Sequence, residues 1–254
     1  MVRLLLNGCN GKMGRVISQC VAGRDDCKIV AGADIVTERV FGYPVYAAIG
    51  EITEEADAVI DFSHPSALKN VLDHAKEHGL SAVIATTGLD EAQKAMINKA
   101  AEVIPVFFSF NMSIGVNLMA ELAKKTAGLL QHDFDIEIVE AHHNQKIDAP
   151  SGTALMLADA VSQGLSQPYH YEYDRHSQRK KRDKTEIGIH SIRGGTIVGE
   201  HEVIFAGRDE IITITHSARS KEIFAVGAVN AALFVAGKEP GLYSMGDLVK
   251  EGGE

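Results

Sequence analysis

The chain has 254 residues and carries a formal net charge of −9 at pH 7. This length is enough to bury a core in one or two domains, so neither disulfides nor a structural metal is needed for stability. The hydrophobic content of 45% and the charged content of 23% are those of a globular protein and argue against wholesale disorder. The acidic balance argues against nucleic-acid binding, which depends on Lys and Arg side chains that neutralise phosphates.

Composition also bears on where the protein works. The sequence contains no apolar run near the ~20 residues that span a bilayer, so no membrane partner is expected. The apolar N-terminus lacks a cleavage site, and a signal peptide is therefore not expected. Cys9, Cys20 and Cys27 are few and odd in number, which is typical of free thiols in a reducing compartment rather than of a disulfide framework. We therefore expect a cytoplasmic protein.

The first half of the chain alternates apolar runs with amphipathic stretches. Strands are predicted at 2–7, 27–33, 58–62, 81–86 and 104–109, and helices at about 12–22, 65–78 and 91–102. Pro65 suits the first position of its helix, because the N–H that proline lacks would be unpaired there. Continuous apolar strands that alternate with helices indicate a parallel sheet with helices on both faces.

The second half has a different rhythm, and the break between the halves falls near residues 111–115. Helices are predicted at about 116–130, 151–165 and 224–236, and strands at 134–141 and near 186–193, 197–206 and 210–217. Neighbouring strands that follow a helix indicate an antiparallel or mixed sheet. The basic run at 175–184 is interpreted as a solvated loop, because no aromatic side chains alternate with its charges as they do in nucleic-acid sites.

A glycine-rich turn joins the first predicted strand to the first predicted helix. It comprises Gly8, Cys9, Asn10, Gly11, Lys12, Met13 and Gly14. Glycines there allow a tight turn and a close approach of the pyrophosphate of a dinucleotide, which the helix N-terminus then binds. The spacing G-x-x-G-x-x-G departs from the usual G-x-G-x-x-G, so the pattern alone is weak evidence. A purely structural turn is the alternative.

An acidic residue strengthens the dinucleotide hypothesis. Asp34 lies 20 residues after Gly14, at the end of the second predicted strand, and a structural turn does not account for it. A carboxylate there accepts hydrogen bonds from the adenosine ribose and repels a 2′-phosphate. Arg39 and Lys12 offset part of that repulsion. We therefore predict that NADH is the preferred cofactor and that NADPH is also used.

Two further polar segments follow later strands. Thr86, Thr87 and Gly88 come after the fourth predicted strand, and Asn111 comes after the fifth. Ligands of an open parallel sheet bind beyond the carboxyl ends of its strands, which places both segments at the same edge as the glycine turn. Taken singly, each segment is better explained as a loop held by hydrogen bonds between its side chains and the backbone than as a ligand contact.

The most unusual stretch runs from residue 140 to residue 154. Its residues with chemical potential are His142, His143, Lys146, Ser151, Gly152 and Thr153. Histidine exchanges protons near neutral pH, lysine offers a positive charge, and the helix start that follows provides N–H groups for a carboxylate. A solvated polar loop with Ser151 as a helix cap is the alternative. No metal site is expected, because adjacent histidines at a strand end point apart and no further ligands cluster nearby.

These motifs together resemble the dihydrodipicolinate reductase family over essentially the whole chain. The family signature Glu-x-His-His-x-x-Lys-x-Asp-Ala-Pro-Ser-Gly-Thr-Ala is met at every fixed position from Glu140 to Ala154. The other matching segments are the glycine turn, 61–65, 85–88, 111–117, 193–195, Gly199, His201 and 238–243. The chain departs from the family at Lys221, where arginine is common, and at Ala85, where many members have glycine.

The resemblance implies an α/β fold with two domains. Residues 1–113 and 219–254 would form a Rossmann-like dinucleotide-binding domain. Residues 114–218 would form an α+β domain that binds the substrate and whose mixed sheet builds a homotetramer. The implied reaction is the NADH- or NADPH-dependent reduction of a cyclic dicarboxylate, 4-hydroxy-tetrahydrodipicolinate, with loss of water, in lysine biosynthesis.

The resemblance also implies roles for single residues. His142 matches the proton donor and acceptor of the family, and Lys146 matches its second proton donor and substrate anchor. Contacts to the substrate carboxylates are implied for His143, Ser151, Gly152 and Thr153. Contacts around the nicotinamide are implied for Ala85, Thr86, Thr87, Ser109, Phe110, Asn111 and Met112. A nucleotide-binding regulator and a different reductase with the same first domain are alternatives, but neither requires the 140–154 signature.

Overall fold

A computed structural model describes residues 1–252. The chain divides into two compact units, Met1–Ile114 with Glu222–Glu254, and Gly115–Lys221. The breaks fall after Ile114 and Lys221, whereas the sequence placed them after residues 113 and 218. Within the described range, none of the helices is long and apolar enough to cross a membrane.

The elements alternate along the chain as follows. The strands are β1 (Val2–Asn7), β2 (Cys27–Ala33), β3 (Val45–Tyr46), β4 (Ala58–Asp61), β5 (Ser81–Ile84), β6 (Pro105–Phe108), β7 (Asp135–His142), β8 (His170–Glu172), β9 (Glu186–Arg193), β10 (Gly199–Ala206), β11 (Ile211–Ala218) and β12 (Gly241–Tyr243). The helices are α1 (Lys12–Ala22), α2 (Leu68–His78), α3 (Glu91–Ala101), α4 (Ile114–Leu130), α5 (Gly152–Gly164), α6 (Glu222–Val235) and α7 (Met245–Glu251).

The first unit is built on a parallel sheet of seven strands in the order β12-β6-β5-β4-β1-β2-β3. Alternate residues of each strand face opposite sides, as the pleat requires. Leu4 and Leu6 of β1 pack with α1 and α6, and Leu5 packs with α2 and α3. The predicted parallel sheet with helices on both faces is confirmed.

The second unit contains a five-stranded mixed sheet in the order β11-β10-β7-β9-β8. Strand β10 is antiparallel to both of its neighbours, whereas β7, β8 and β9 run parallel. Ile136 and Ile138 of β7 and Phe205 of β10 pack against α4 and α5 in one apolar core. The predicted α/β class, with a Rossmann-like sheet and a separate mixed sheet, is confirmed.

Some elements were not predicted. Strands β3, β8 and β12 have two or three residues, too few for an alternation of apolar and polar residues to be recognised. Residues Pro65–Ala67 form a 3₁₀ turn that leads into α2, so the α-helix itself begins at Leu68 rather than at Pro65. The bounds of the predicted strands and helices otherwise differ from the observed ones by at most two residues.

Candidate active site

The glycine turn of the first unit depends on glycine at two positions. Gly8 has a φ of +82°, and an ideal Cβ there would lie 2.9 Å from the carbonyl carbon of Phe62. A Cβ on Gly14 would lie 2.7 Å from the Cα of Cys9. Real Cβ atoms essentially never show a contact below 3.0 Å, so side chains are excluded at both positions. The turn is thereby kept tight at the start of α1.

The start of α1 suits an anion. Gly11 is the N-cap residue, no side chain in the described part of the chain caps the helix, and its first turn holds no acidic residue. N–H groups at a helix N-terminus point outward and carry the positive end of the helix dipole. Gly11 and Lys12 are exposed, and Met13 is half-buried against the core. These residues fit the pyrophosphate of a dinucleotide.

The side chains of Cys9 and Asn10 stabilise the turn. Burial raises the pKa of the Cys9 thiol to about 11, and the side chain is part of the apolar core. Only the backbone of Cys9 is therefore suited to a ligand contact. The Asn10 side chain donates to the carbonyls of Val36 and Glu38 at 2.6 and 2.8 Å, which ties the turn to the loop after β2.

Asp34 lies directly beside the turn. Its Oδ2 accepts the N–H of Asn10 at 2.9 Å, and its Oδ1 accepts the N–H of Val36 at 3.0 Å. Each carboxylate oxygen can accept more than one hydrogen bond, so both retain capacity for ribose hydroxyls. Arg39 donates to the carbonyl of Gly42 and is thereby held within its own loop.

A buried carboxylate with an unforeseen role ties together the ends of β1, β4 and β5. Asp61 is fully buried. It accepts hydrogen bonds from Asn7 Nδ2 at 2.8 Å, Ser63 Oγ at 2.5 Å and Thr86 Oγ1 at 2.8 Å. Burial raises the pKa of Asp61 above its usual value, against the effect of these bonds. The Thr86 hydroxyl is therefore already hydrogen-bonded within the protein.

The two predicted nicotinamide segments differ in exposure. Ala85 and Thr86 are buried, whereas Thr87 lies on the surface. In the second segment Ser109 Oγ donates to the carbonyl of Asn111 at 3.1 Å, Phe110 is exposed and Met112 is buried. All of these residues lie in the first unit, with the glycine turn and Asp34.

Gly227 of α6 is a supporting residue that the sequence analysis missed. An ideal Cβ at this position would lie 2.8 Å from the carbonyl carbon of Met112 and closer still to the carbonyl oxygen. Helix α6 can therefore approach the 109–112 segment only because residue 227 has no side chain. The richness of α6 in small residues is the signal that was available in the sequence.

The His–Lys segment of the second unit contains a buried ion-pair cluster. Glu140 is fully buried, with Oε2 at 2.6 Å from Nδ1 of His142. Arg193 donates to both oxygens of Glu140, at 2.8 and 2.7 Å. Burial raises the pKa of Glu140, but the ion pair with Arg193 and the hydrogen bond with His142 outweigh burial and lower it to about 2. The cluster gives the His142 imidazole a charged environment in which both oxygens of Glu140 are paired with Arg193.

The β-sheet register explains why these side chains meet. Glu140 and His142 are two residues apart on β7, so both face the same side. His201 of β10 is paired with Glu140, and Arg193 of β9 is paired with His142. The same face is apolar at the other end of β7, where Ile136 and Ile138 lie. The cluster is thus the polar end of the core face of the second sheet.

Ser151 forms the start of α5. Its N–H donates to Glu140 Oε1 at 3.1 Å, and its Oγ accepts the N–H of Ala154 at 3.1 Å as the helix cap. The same Oγ lies 3.0 Å from Nε2 of His201. Ser151 is buried, whereas Gly152 is exposed and Thr153 is half-buried. The exposed start of α5 holds no acidic residue in its first turn, which favours an anion there.

Lys146 lies in the turn between β7 and α5. Its Nζ is 2.8 Å from Oδ1 of Asp148, and its side chain is mostly buried. Asp148 is mostly exposed, and Lys146 lowers the pKa of its carboxyl group. His143 is half-buried, and its carbonyl accepts the N–H of Lys146 at 3.1 Å. The second unit thus holds a buried imidazole, an ammonium group and a helix start within one short segment.

Family models cover nearly the whole chain. The model described as dihydrodipicolinate reductase, N-terminus, matches residues 2–112, and the model described as dihydrodipicolinate reductase, C-terminus, matches residues 115–249. The 4-hydroxy-tetrahydrodipicolinate reductase of Caldanaerobacter subterraneus subsp. tengcongensis is 51% identical over 252 residues, which are 99% of this chain and 100% of the relative. The enzyme of that name from Clostridium tetani is 48% identical and covers 96% of both chains.

Solved structures agree with the sequence comparison. A dipicolinate-bound dihydrodipicolinate reductase from Paenisporosarcina sp. TG-14 has a TM-score of 0.81 at 25% identity, covering 96% of this chain and 97% of that one. A myo-inositol dehydrogenase from Corynebacterium glutamicum has a TM-score of 0.59 at 16% identity, covering 98% of this chain and 93% of that one, and shares the fold alone. The two family models and the identity over the full chain lead to one conclusion: the chain belongs to the dihydrodipicolinate reductase family.

Proposed function

We propose that the chain reduces 4-hydroxy-tetrahydrodipicolinate to tetrahydrodipicolinate, with NADH or NADPH as the hydride donor and with loss of one water molecule. The family consists of NAD(P)H-dependent oxidoreductases of lysine and diaminopimelate biosynthesis. The observation that carries the proposal is the paired Glu140–His142–Arg193 cluster beside the exposed start of α5. Reduction of the substrate with loss of water needs a proton donor, and the substrate carboxylates need an anion-binding group next to it.

The cofactor is assigned to the first unit. When bound, the nicotinamide supplies the hydride. The backbone N–H groups at the start of α1 hold the pyrophosphate, and Asp34 accepts the ribose hydroxyls. The segments 85–87 and 109–112 surround the nicotinamide. Asp34 favours NADH, and NADPH is also used, because Lys12 at the exposed start of α1 offsets part of the repulsion of a 2′-phosphate.

The substrate is assigned to the second unit. One carboxylate binds the N–H groups of Gly152 and Thr153 at the start of α5, whose geometry Ser151 fixes as the cap. His143 and Lys146 bind the other carboxylate. Lys146, which is paired with Asp148 in this structure, then pairs with the substrate carboxylate instead. His142 gives a proton to the substrate and Lys146 serves as the second proton donor. Metal ions have no part in the proposal.

Substitution of the two proton donors tests the assignment. His142→Gln and Lys146→Gln should each lower kcat/KM by about 10²–10⁴-fold, the usual contribution of general acid–base catalysis. Cofactor affinity should stay near the wild-type value. His190→Gln is the matched control, because His190 lies on β9 and pairs with Glu137 instead. Near-full turnover of both site variants would refute the assignment.

A dicarboxylate tests the two anchors. Pyridine-2,6-dicarboxylate should compete with the substrate, and pyridine-2-carboxylate should be markedly weaker, because one cationic partner then loses its counter-charge. The solved relative from Paenisporosarcina was obtained with dipicolinate bound. Equal inhibition by the two compounds would contradict a site with two carboxylate anchors.

We also propose that the protein is a cytoplasmic homotetramer assembled through the second sheet. Strand β11 is an edge strand of that sheet, and its residues Ile211 and Ile212 are exposed. Light scattering coupled to size-exclusion chromatography measures the mass directly. A mass near four chains supports the assembly, and a mass near 27.3 kDa contradicts it.

A further inference from the structure

The carboxylate of Glu140 contacts two parts of the proposed substrate site, the His142 imidazole and the start of α5. Its Oε2 lies 2.6 Å from Nδ1 of His142, and its Oε1 accepts the N–H of Ser151 at 3.1 Å. The guanidinium of Arg193 donates to both oxygens. Glu140 is fully buried, and the Ser191 side chain is a further hydrogen-bonding partner of its carboxylate. One buried group therefore fixes the imidazole and the start of α5 together.

These contacts decide which ring nitrogen of His142 carries a proton. Arg193 and the Ser151 N–H can only donate, and an ionised carboxylate can only accept. Glu140 is ionised throughout the neutral range, since its pKa is about 2 although burial by itself raises it. The short contact to His142 is therefore a bond in which Nδ1–H donates.

The other ring nitrogen of His142, Nε2, is the one available for proton transfer. Nε2 of His142 faces Gly199, where an ideal Cβ would lie 3.1 Å away. That separation is tighter than most real Cβ contacts, so a side chain at residue 199 would crowd Nε2. The His201 ring packs edge-on against the His142 ring at 5.1 Å between centroids, and its Nε2 is turned to Ser151 instead.

We propose that Glu140 is a positioning residue that holds His142 with Nδ1 protonated, so that Nε2 is the atom that gives and takes the proton. Arg193 keeps the carboxylate ionised and fixed. This inference rests on the proposed role of His142 and adds the reacting atom and the group that selects it. It also gives Glu140 and Arg193 a function, although neither is assigned a contact with substrate or cofactor.

The proton step is balanced at the imidazole. The Nε2–H bond of the imidazolium breaks, the proton passes to the substrate, and the electron pair stays on Nε2. The ring becomes neutral with Nδ1–H still bound to Glu140. The carboxylate remains ionised before and after the step, and a proton from water restores the imidazolium.

Glu140→Gln gives a specific expectation because an amide has one acceptor and one donor end. If the amide NH₂ faced Ser151, it would meet two donors, the Ser151 N–H and one Arg193 N–H, whereas on the His142 side it meets a single donor, the other Arg193 N–H. If it faces His142, Nδ1 can accept from it once the ring proton has moved to Nε2. The variant should therefore switch the neutral imidazole from the Nδ1–H to the Nε2–H tautomer.

The experiment is ¹⁵N NMR of histidine-labelled full-length enzyme, at a pH where the imidazole is neutral. His142→Gln identifies the signal by its loss. The wild type should show Nδ1–H, and Glu140→Gln should show Nε2–H with a fall in kcat of about 10²-fold or more. The cofactor dissociation constant should not change.

Glu137→Gln is the matched control. Glu137 is also on β7 and, like Glu140, pairs with arginine and histidine side chains, here Arg175, Arg182 and His190. Because odd-numbered positions of β7 face the other side, this variant should leave the His142 tautomer and kcat unchanged. A change of tautomer in Glu137→Gln would show that any lost ion pair disturbs His142, and would overturn the inference.

Failure of the inference and failure of the proposed function give different results. A wild-type spectrum with Nε2–H overturns the positioning role even if Glu140→Gln does not fold. So does a Glu140→Gln enzyme that loses turnover with an unchanged tautomer, since a structural role would then be sufficient. Full turnover of His142→Gln would refute the catalytic role of His142 while the Nδ1–H tautomer still stood.

Discussion

Gly227→Ala should weaken both the first unit and cofactor binding. The added Cβ would lie 2.8 Å from the carbonyl carbon of Met112 and 3.1 Å from Cε of Met245, whereas ordinary contacts begin at 3.4 Å. The carbonyl oxygen of Met112 lies closer still, so the Met112 backbone must move by more than the roughly 0.6 Å that the carbonyl carbon alone requires. Overpacking of this kind costs about 1–3 kcal/mol. Alanine recovers about 1 kcal/mol through its higher helix propensity. A backbone group yields less readily than a side-chain tip, so the upper part of the overpacking range, about 2–3 kcal/mol, applies, and the net cost is about 1–2 kcal/mol.

Two measurements follow from that displacement. Thermal unfolding by circular dichroism should show a fall in Tm of roughly 2–8 °C. The dissociation constant for NADH, from nicotinamide fluorescence, should rise about three- to tenfold, on the order of 1 kcal/mol. Gly23→Ala is the control, since no described atom lies within 4 Å of a Cβ there and its φ is −96°. A Gly227→Ala protein with the Tm and NADH affinity of the wild type would refute the packing argument.

Two further predictions concern cofactor choice and pH. Asp34→Ala should reduce the preference for NADH, measured as the ratio of kcat/KM for NADH to that for NADPH; a wild-type ratio that favours NADPH tenfold, about 1.4 kcal/mol, would contradict the role of Asp34. Burial, followed by the charge of His142, lowers the pKa of His201 to about 4. The neutral His201 side chain therefore contributes fully to the free energy of unfolding above about pH 6.5, the pKa of histidine in the unfolded chain. This contribution, on the order of 2–4 kcal/mol, is lost as the pH falls toward 4, and urea unfolding at several pH values measures the loss. His201→Gln should flatten this dependence, and an equally steep loss in that variant would show that another group is responsible.

The parallel arrangement of the first sheet was predictable from its apolar runs, although its short strands β3 and β12 were not. Runs such as 2–7 and 58–62 are apolar on both faces, and that pattern specifies strands buried under helices on each side. The glycine turn and the helix start at Ser151 were also predictable, since their residue types have few conformational alternatives. These local signals determine where the candidate site residues lie along the chain.

The partners of the site residues were not predictable, because they come from distant segments. Arg193 and His201 reach Glu140 only through the register of β9 and β10 against β7. Asp61 likewise ends an apolar run and reveals its role only when β1 and β5 bring Asn7 and Thr86 beside it. A sequence pattern gives the direction of a side chain but not the distant residue that it meets.

The central claim is tested most directly by a coupled assay with the full-length protein. Dihydrodipicolinate synthase supplies fresh 4-hydroxy-tetrahydrodipicolinate, and the oxidation of NADH and of NADPH is followed separately by the loss of absorbance of the reduced nicotinamide. The account predicts oxidation that requires this substrate, consumes one cofactor per substrate and has the higher kcat/KM with NADH. Absence of oxidation with either cofactor, although the protein binds both, would contradict it.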